Sequence, residues 1–149
     1  DITTVQSFNE HGATLSMSTD TPNAVPCLMM ISSVFQLLSE VLYKRYREEK
    51  RFVLQTRCGI STAVDAMQLS ANQAAERLVQ QLSAKESAVH LSNELLKDIS
   101  ESYQLVNLPN PTNVLTRHAF MVNGMGAESA ELAQSLRTEI LKAKQSKAS

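Results

Sequence analysis

The sequence predicts an all-α fold, a long helical hairpin or coiled coil that follows a flexible N-terminal leader. Apolar residues recur at steps of three and four over much of the chain, which is the spacing of a helix face. Four glycines and four prolines in 149 residues are few for the turns of an all-β chain. The strongest breaker, NLPNPTN at residues 107–113, divides the helical pattern into two arms. The length fits one domain.

The leader is residues 1–25. It is rich in Ser, Thr, Asn and Asp, and its isolated apolar residues show no sustained period. It ends at a breaker containing Pro22 and Pro26. No basic region followed by an apolar run is visible, so it does not look like a general secretory signal. Residues 26–149 are then predicted to form one helical assembly domain.

The first arm is predicted over residues 27–106. Between Cys27 and Ala84 only Gly59 opposes a helix, which either breaks there or continues through it. The first apolar run steps by four, three and four: Ile31, Phe35, Leu38 and Leu42. The second steps 4-3-4-3-4, as in a coiled-coil seam: Ile60, Val64, Met67, Ala71, Ala74 and Leu78.

The returning arm is predicted over residues 114–145, after the proline turn 107–113. Ser92 or Asn93 can cap a helix before the turn, and Thr112 or Asn113 can cap the one after it. NGMG at 123–126 interrupts the arm. In the final helix three apolar residues step by four, namely Leu132, Leu136 and Ile140.

Residues 27–43 are mostly apolar and run directly into the charged block KRYREEKR. A membrane span is disfavoured, because the run is short and contains Gln36 and Glu40. Apolar side chains nevertheless cover most of the helix circumference, which one returning arm cannot bury. The pattern therefore predicts self-assembly, with an interface formed by Leu28, Ile31, Val34, Phe35, Leu38, Val41, Leu42, Ile60, Val64, Met67, Ala71, Ala74 and Leu78.

No pattern indicates an enzyme, a cofactor or a metal site. His11, His90 and His118 are far apart in sequence. Glu86 and Glu94 flank His90 at helical spacing and could hold a divalent metal, but an ordinary charged helix face is favoured. GMG lacks the Lys-Ser/Thr ending of a phosphate loop, and TRCGIST sits within a helical pattern, unlike a nucleophile elbow.

The two cysteines indicate the redox environment of the protein, and the overall charge limits its possible partners. On one straight helix Cys27 and Cys58 would lie roughly 46 Å apart, so no intrachain disulfide is expected. Free thiols fit folding or storage in a reducing cytosol. A net charge of −1 and 5% aromatic residues argue against a nucleic-acid partner.

Three segments together resemble the EspA-type sheath filament subunits of bacterial type III secretion systems. They are VPCLMMISSVFQLLSEVLY, STAVDAMQLSANQAAERLVQQL and LSNELLKDISESYQLV, and the resemblance covers about residues 25–108. It implies a subunit that polymerises into a hollow extracellular filament, a conduit for secreted proteins. It also implies a cytosolic chaperone before export, contacts with other proteins of the apparatus, and a final location outside the bacterial cell.

Two other functional hypotheses remain open. A cytosolic helical adaptor or secretion chaperone, forming a small closed oligomer, would also need a seam of small residues such as Ala71 and Ala74. A translocator that inserts residues 27–43 into a bilayer is the second alternative.

Overall fold

The computed structural model describes residues 2–9, 12–18, 20–48 and 56–148, and it shows a mixed α/β fold. The predicted all-α coiled-coil hairpin is therefore wrong. The strands are β1 (Ile2–Asn9), β2 (Gly12–Met17), β3 (Cys58–Ser61), β4 (Ser87–His90), β5 (Tyr103–Asn107) and β6 (Phe120–Met125). The α-helices are α1 (Ala24–Glu48), α2 (Ala71–Gln80), α3 (Asn93–Lys97), α4 (Val114–Arg117) and α5 (Ala127–Ala148).

Four of the strands form one sheet in the order β3-β4-β6-β5. β3 and β4 are parallel and are joined by a crossover that contains α2, whereas β6 runs antiparallel to both of its neighbours. A parallel pair requires such a crossover, because the chain must return to the same end of the sheet.

The segment expected to be a flexible leader instead contains a β-hairpin. β1 and β2 pair in antiparallel fashion, from Ile2 opposite Met17 to Asn9 opposite Gly12. His11 lies outside the described residues. The prolines that were expected to end the leader fall at the helix start: Pro26 occupies the first turn of α1, where a missing N–H is tolerated.

The predicted arm 27–106 is not one helix. Its described residues contain α1, α2, α3 and a short 3₁₀ helix, but β3, β4 and β5 lie between and after these helices. The six residues of the supposed 4-3 seam fall in four different local structures. Ile60 is in β3, Val64 forms an isolated bridge, Met67 ends a short 3₁₀ helix, and Ala71, Ala74 and Leu78 are in α2.

Gly59 in β3 allows α2 to pack closely on the sheet. A Cβ at this position would lie 2.7 Å from Val79 Cγ2 and 3.0 Å from the Ala75 carbonyl oxygen. Its role is therefore a close approach between strand and helix. The sequence had left open whether a long helix breaks at Gly59 or continues through it, but Gly59 is not in a helix.

Each face of the sheet has its own hydrophobic cluster, and neighbouring residues of β4 point into different clusters. Ala88 belongs to the cluster that contains Leu78 of α2 and Leu115 of α4. Val89 belongs to the cluster that contains Met29 of α1 and Ile99. The sheet is thus covered by helices on both faces, as in other layered α/β folds.

α1 lies between the sheet and α5. Its Val25 packs in the cluster that contains Val89 and Ile99. Val34 is 7% exposed and belongs to neither of the two sheet clusters. Nine residues separate the two, which at about 100° per residue places them on opposite sides of the helix. α5 packs against α1, and its Ala133 is fully buried. Val34 and Ala133 therefore face the contact between the two helices.

The connector 107–113 does separate two elements, as the prolines predicted, but the elements are β5 and α4. Asn113 caps α4, since its side chain accepts a hydrogen bond from the Thr116 amide. Ser92 likewise caps α3. These local predictions are confirmed because a cap depends on a few neighbouring residues. NGMG belongs mostly to β6, not to a helix interruption.

Candidate functional site

A polar contact lies at the carboxyl ends of the two parallel strands. Ser61 and His90 are register partners at the ends of β3 and β4. Ser61 Oγ lies 3.3 Å from His90 Nδ1. The edge where parallel strands end is where open α/β sheets usually bind ligands. This Ser–His pair is therefore the first candidate for a catalytic group.

The hydrogen bonds of Ser61 oppose a nucleophilic role. Its hydroxyl donates to the Thr62 carbonyl oxygen at 2.7 Å. A hydroxyl has one proton, so Ser61 Oγ accepts from His90 Nδ1–H in the longer contact. A general base would have to accept the serine proton instead. The geometry makes Ser61 an anchor for the imidazole ring rather than an activated nucleophile.

His90 favours its neutral form in the folded protein. Burial lowers its pKa below the ordinary value of 6.5, and the nearby charge of His118 lowers it further, against a smaller opposing effect of a backbone hydrogen bond. Its half-buried ring and the exposed His118 lie next to each other across the β4–β6 edge, where Val89 pairs with Phe120. The Ser61–His90 contact thus contains a titratable group, His90, whose charged form is disfavoured.

We expect the protein to lose stability on mild acidification because of His90. The unfolded chain binds the His90 proton at a higher pH than the folded chain. Stability that is present above pH 6.5 is therefore lost as the pH falls through the lower folded-state pKa. Urea unfolding at pH 7.5 and 5.5 should show a smaller loss for His90→Gln than for the wild type. An equal loss in both proteins would contradict this assignment.

The remaining metal and thiol candidates do not assemble into a site. His90 lies in a strand, so its four-residue spacing to Glu86 and Glu94 does not place the three on one face. Within the described ranges, no group of three His, Cys, Asp or Glu side chains could hold a metal ion. Cys27 and Cys58 are free. Burial raises the pKa of the Cys58 thiol, partly offset by its hydrogen bond with Ser32, which disfavours the reactive thiolate.

The predicted assembly residues of α1 lie partly inside the fold. Val34 is buried, and five others are half-buried: Leu28, Ile31, Phe35, Leu38 and Val41. The side chain of Leu42 is outside the described part. Among the later residues, Ala74 and Leu78 are fully buried under the sheet, whereas Ala71 is exposed. Ala74 and Leu78 therefore serve the core rather than a free surface.

α1 contacts the sheet with polar as well as apolar side chains. Gln36 Nε2 donates to the Glu86 carbonyl oxygen at 3.3 Å, and Gln36 Oε1 accepts from Ser87 Oγ at 3.1 Å. In the sequence analysis, Gln36 counted against membrane insertion. In the fold it joins the helix to the beginning of β4.

One stretch of the described chain is long and apolar enough to cross a membrane, namely Ala24–Val41 with a mean hydropathy of 1.6. The core helix of a soluble protein meets the same criterion. About a fifth of the stretch is buried, at 22%.

α5 has two neighbouring sets of apolar residues, one covered and one exposed. Ala130, Ala133 and Leu141 form the buried or half-buried side toward α1. A second stripe is exposed to solvent and consists of Leu132 (51% exposed), Leu136 (37%) and Ile140 (46%). The other large apolar side chains with comparable exposure in the described ranges are Ile2 and Leu15 of the hairpin and Val106 of β5. The α5 stripe is the candidate interaction site.

Another side of α5 is polar. Among the described residues, a shallow surface depression there is lined by Glu131, Gln134, Ser135, Arg137, Thr138 and Glu139. The sequence showed the four-residue steps of the stripe, but the predicted interface omitted it, because the pattern alone does not reveal which helix face remains uncovered.

The comparisons with known proteins identify no family. No protein-family model matches the chain, and no curated protein matches it significantly. The fold that the resemblance to type III filament subunits implied is contradicted by the sheet. Membership of that family, and with it the export chaperone, the secretion apparatus and the extracellular location, stays a prediction that no comparison tests.

Proposed function

We propose that the protein is a non-catalytic structural subunit that self-associates through the exposed apolar stripe of α5. The stripe is Leu132, Leu136 and Ile140, and its exposure is the observation that carries the proposal. Monomeric proteins commonly expose single apolar residues, but an aligned set on one helix face is typical of a contact surface.

The position of α5 supports this proposal. The helix packs on α1 through the side that carries Ala133, and the stripe lies next to that side. None of the three stripe residues belongs to either sheet cluster. A second helix laid along it would bury the three side chains at about 25 cal/mol per Å² of apolar surface. The domain would not need to rearrange to offer this contact.

The polar cluster supports a non-catalytic role. Ser61 donates its only proton to a backbone carbonyl, and the thiolate of Cys58 is disfavoured. Neither group has the activating partner that nucleophilic catalysis requires.

Leu136→Glu should convert the protein to a monomer, because a carboxylate in the middle of the stripe would lose its hydration on association. We expect the dissociation constant to rise at least tenfold. Sedimentation equilibrium over a range of protein concentrations measures it. Gln134→Glu adds the same charge on the polar face of α5 and should leave the mass distribution unchanged. A monomeric wild type at all concentrations would contradict the proposal.

Membrane association is the second candidate, because Ala24–Val41 satisfies the length and hydropathy of a span. Insertion would remove α1 from the sheet and break the hydrogen bonds of Gln36 with Glu86 and Ser87. It would also expose the apolar cluster around Val89 and Ile99. Flotation of the purified protein with liposomes of neutral and anionic lipids distinguishes the two candidates, since a self-associating subunit should stay with the soluble fraction.

A further inference from the structure

We infer that the partner of the α5 stripe is α5 of a second copy, related by a two-fold axis near Leu136, so that the two helices run antiparallel. This inference rests on the proposed self-association and specifies its geometry. It follows from the spacing of the stripe and from the distribution of charge along the helix.

The stripe is symmetric about its central residue. Leu132 precedes Leu136 by four residues, and Ile140 follows it by four. A two-fold axis at Leu136 therefore places Leu132 of one copy opposite Ile140 of the other, and the two Leu136 side chains opposite each other. A two-fold interface uses the same patch on both copies, and this stripe can match itself in that way.

The charges of α5 favour the antiparallel direction. Before Leu136 the helix has two carboxylates, Glu128 and Glu131, and no basic residue. After Leu136 it has one carboxylate and four basic residues, namely Arg137, Lys142, Lys144 and Lys147. An antiparallel pair brings the acidic half of one helix to the basic half of the other. A parallel pair would bring like halves together and would also align the two helix dipoles unfavourably.

Disulfide cross-linking tests whether the two α5 helices run antiparallel or parallel, in a background with Cys27 and Cys58 replaced by Ala. Leu136→Cys should cross-link with itself. Leu132→Cys and Ile140→Cys should cross-link only when the two variants are mixed. Self-cross-linking at all three positions would show a parallel pair and overturn the inference.

Two further results separate this inference from the proposed function. If the wild type dimerises but none of the three Cys variants forms a cross-link, alone or mixed, the α5 geometry is overturned while self-association stands. A wild type that remains monomeric in sedimentation would overturn both.

Discussion

Replacing Leu78 with Ala should lower the free energy of unfolding by about 3–4 kcal/mol. Leu78 is fully buried in the cluster between α2 and the sheet, where it packs with Leu82, Ala88 and Leu115. The substitution removes apolar contacts and leaves a cavity that neighbouring helices can only partly close. Urea unfolding followed by circular dichroism at 222 nm measures the loss.

Leu15→Ala provides the matched control for Leu78→Ala. Leu15 is 38% exposed in the hairpin, so the same change should cost less than about 1 kcal/mol. Equal losses for the two substitutions, or a loss below about 1 kcal/mol for Leu78→Ala, would contradict the assignment of Leu78 to the core.

Replacing Gly59 with Ala should destabilise the protein by about 1–3 kcal/mol. The added Cβ would approach Val79 Cγ2 to 2.7 Å and the Ala75 carbonyl oxygen to 3.0 Å, so α2 would have to shift away from β3. This prediction has the opposite sign in a continuous helix. There the same change would stabilise by about 1 kcal/mol, since Ala is the better helix former.

Gly124→Ala is the control for Gly59→Ala, because both glycines are in strands of the same sheet. Its added Cβ would meet nothing nearer than Gln104 Oε1 at 3.4 Å, the far end of a flexible side chain. We expect a change within about 1 kcal/mol. Stabilisation of the protein by Gly59→Ala would contradict the packing of α2 on β3.

The sequence allowed the helices to be recognised better than the strands. α1, α2 and α5 have helical periodicity, and the caps Ser92 and Asn113 act locally. β3 and β4 are only four residues long and have helix faces on both sides, so they lack the alternation of a half-exposed strand. Their pairing across the α2 crossover is a tertiary property that local periodicity does not contain.

The candidate site was only partly visible in the sequence for the same reason. The four-residue steps of Leu132, Leu136 and Ile140 could be read directly, but their exposure depends on which side of α5 meets α1. Ser61 and His90 are 29 residues apart and meet only because β3 and β4 are parallel neighbours. Conversely, Ala74 and Leu78 have the spacing of an assembly seam but are buried within the domain.

The antiparallel α5 pair has a consequence for the kind of assembly. A two-fold contact closes after two copies, so this surface alone gives a dimer rather than a filament. A filament would require a second, independent surface on each copy. The edge strands β3 and β5 of the sheet are the structural positions where such a surface could form.

The molar mass of the wild type compared with Leu136→Glu tests the central claim most directly. Sedimentation equilibrium at micromolar concentrations should give a concentration-dependent mass between one and two chains for the wild type. It should give 16.4 kDa, the mass of one chain, for Leu136→Glu at every concentration. Equal masses for the two proteins, with both folded by circular dichroism, would contradict self-association through the α5 stripe.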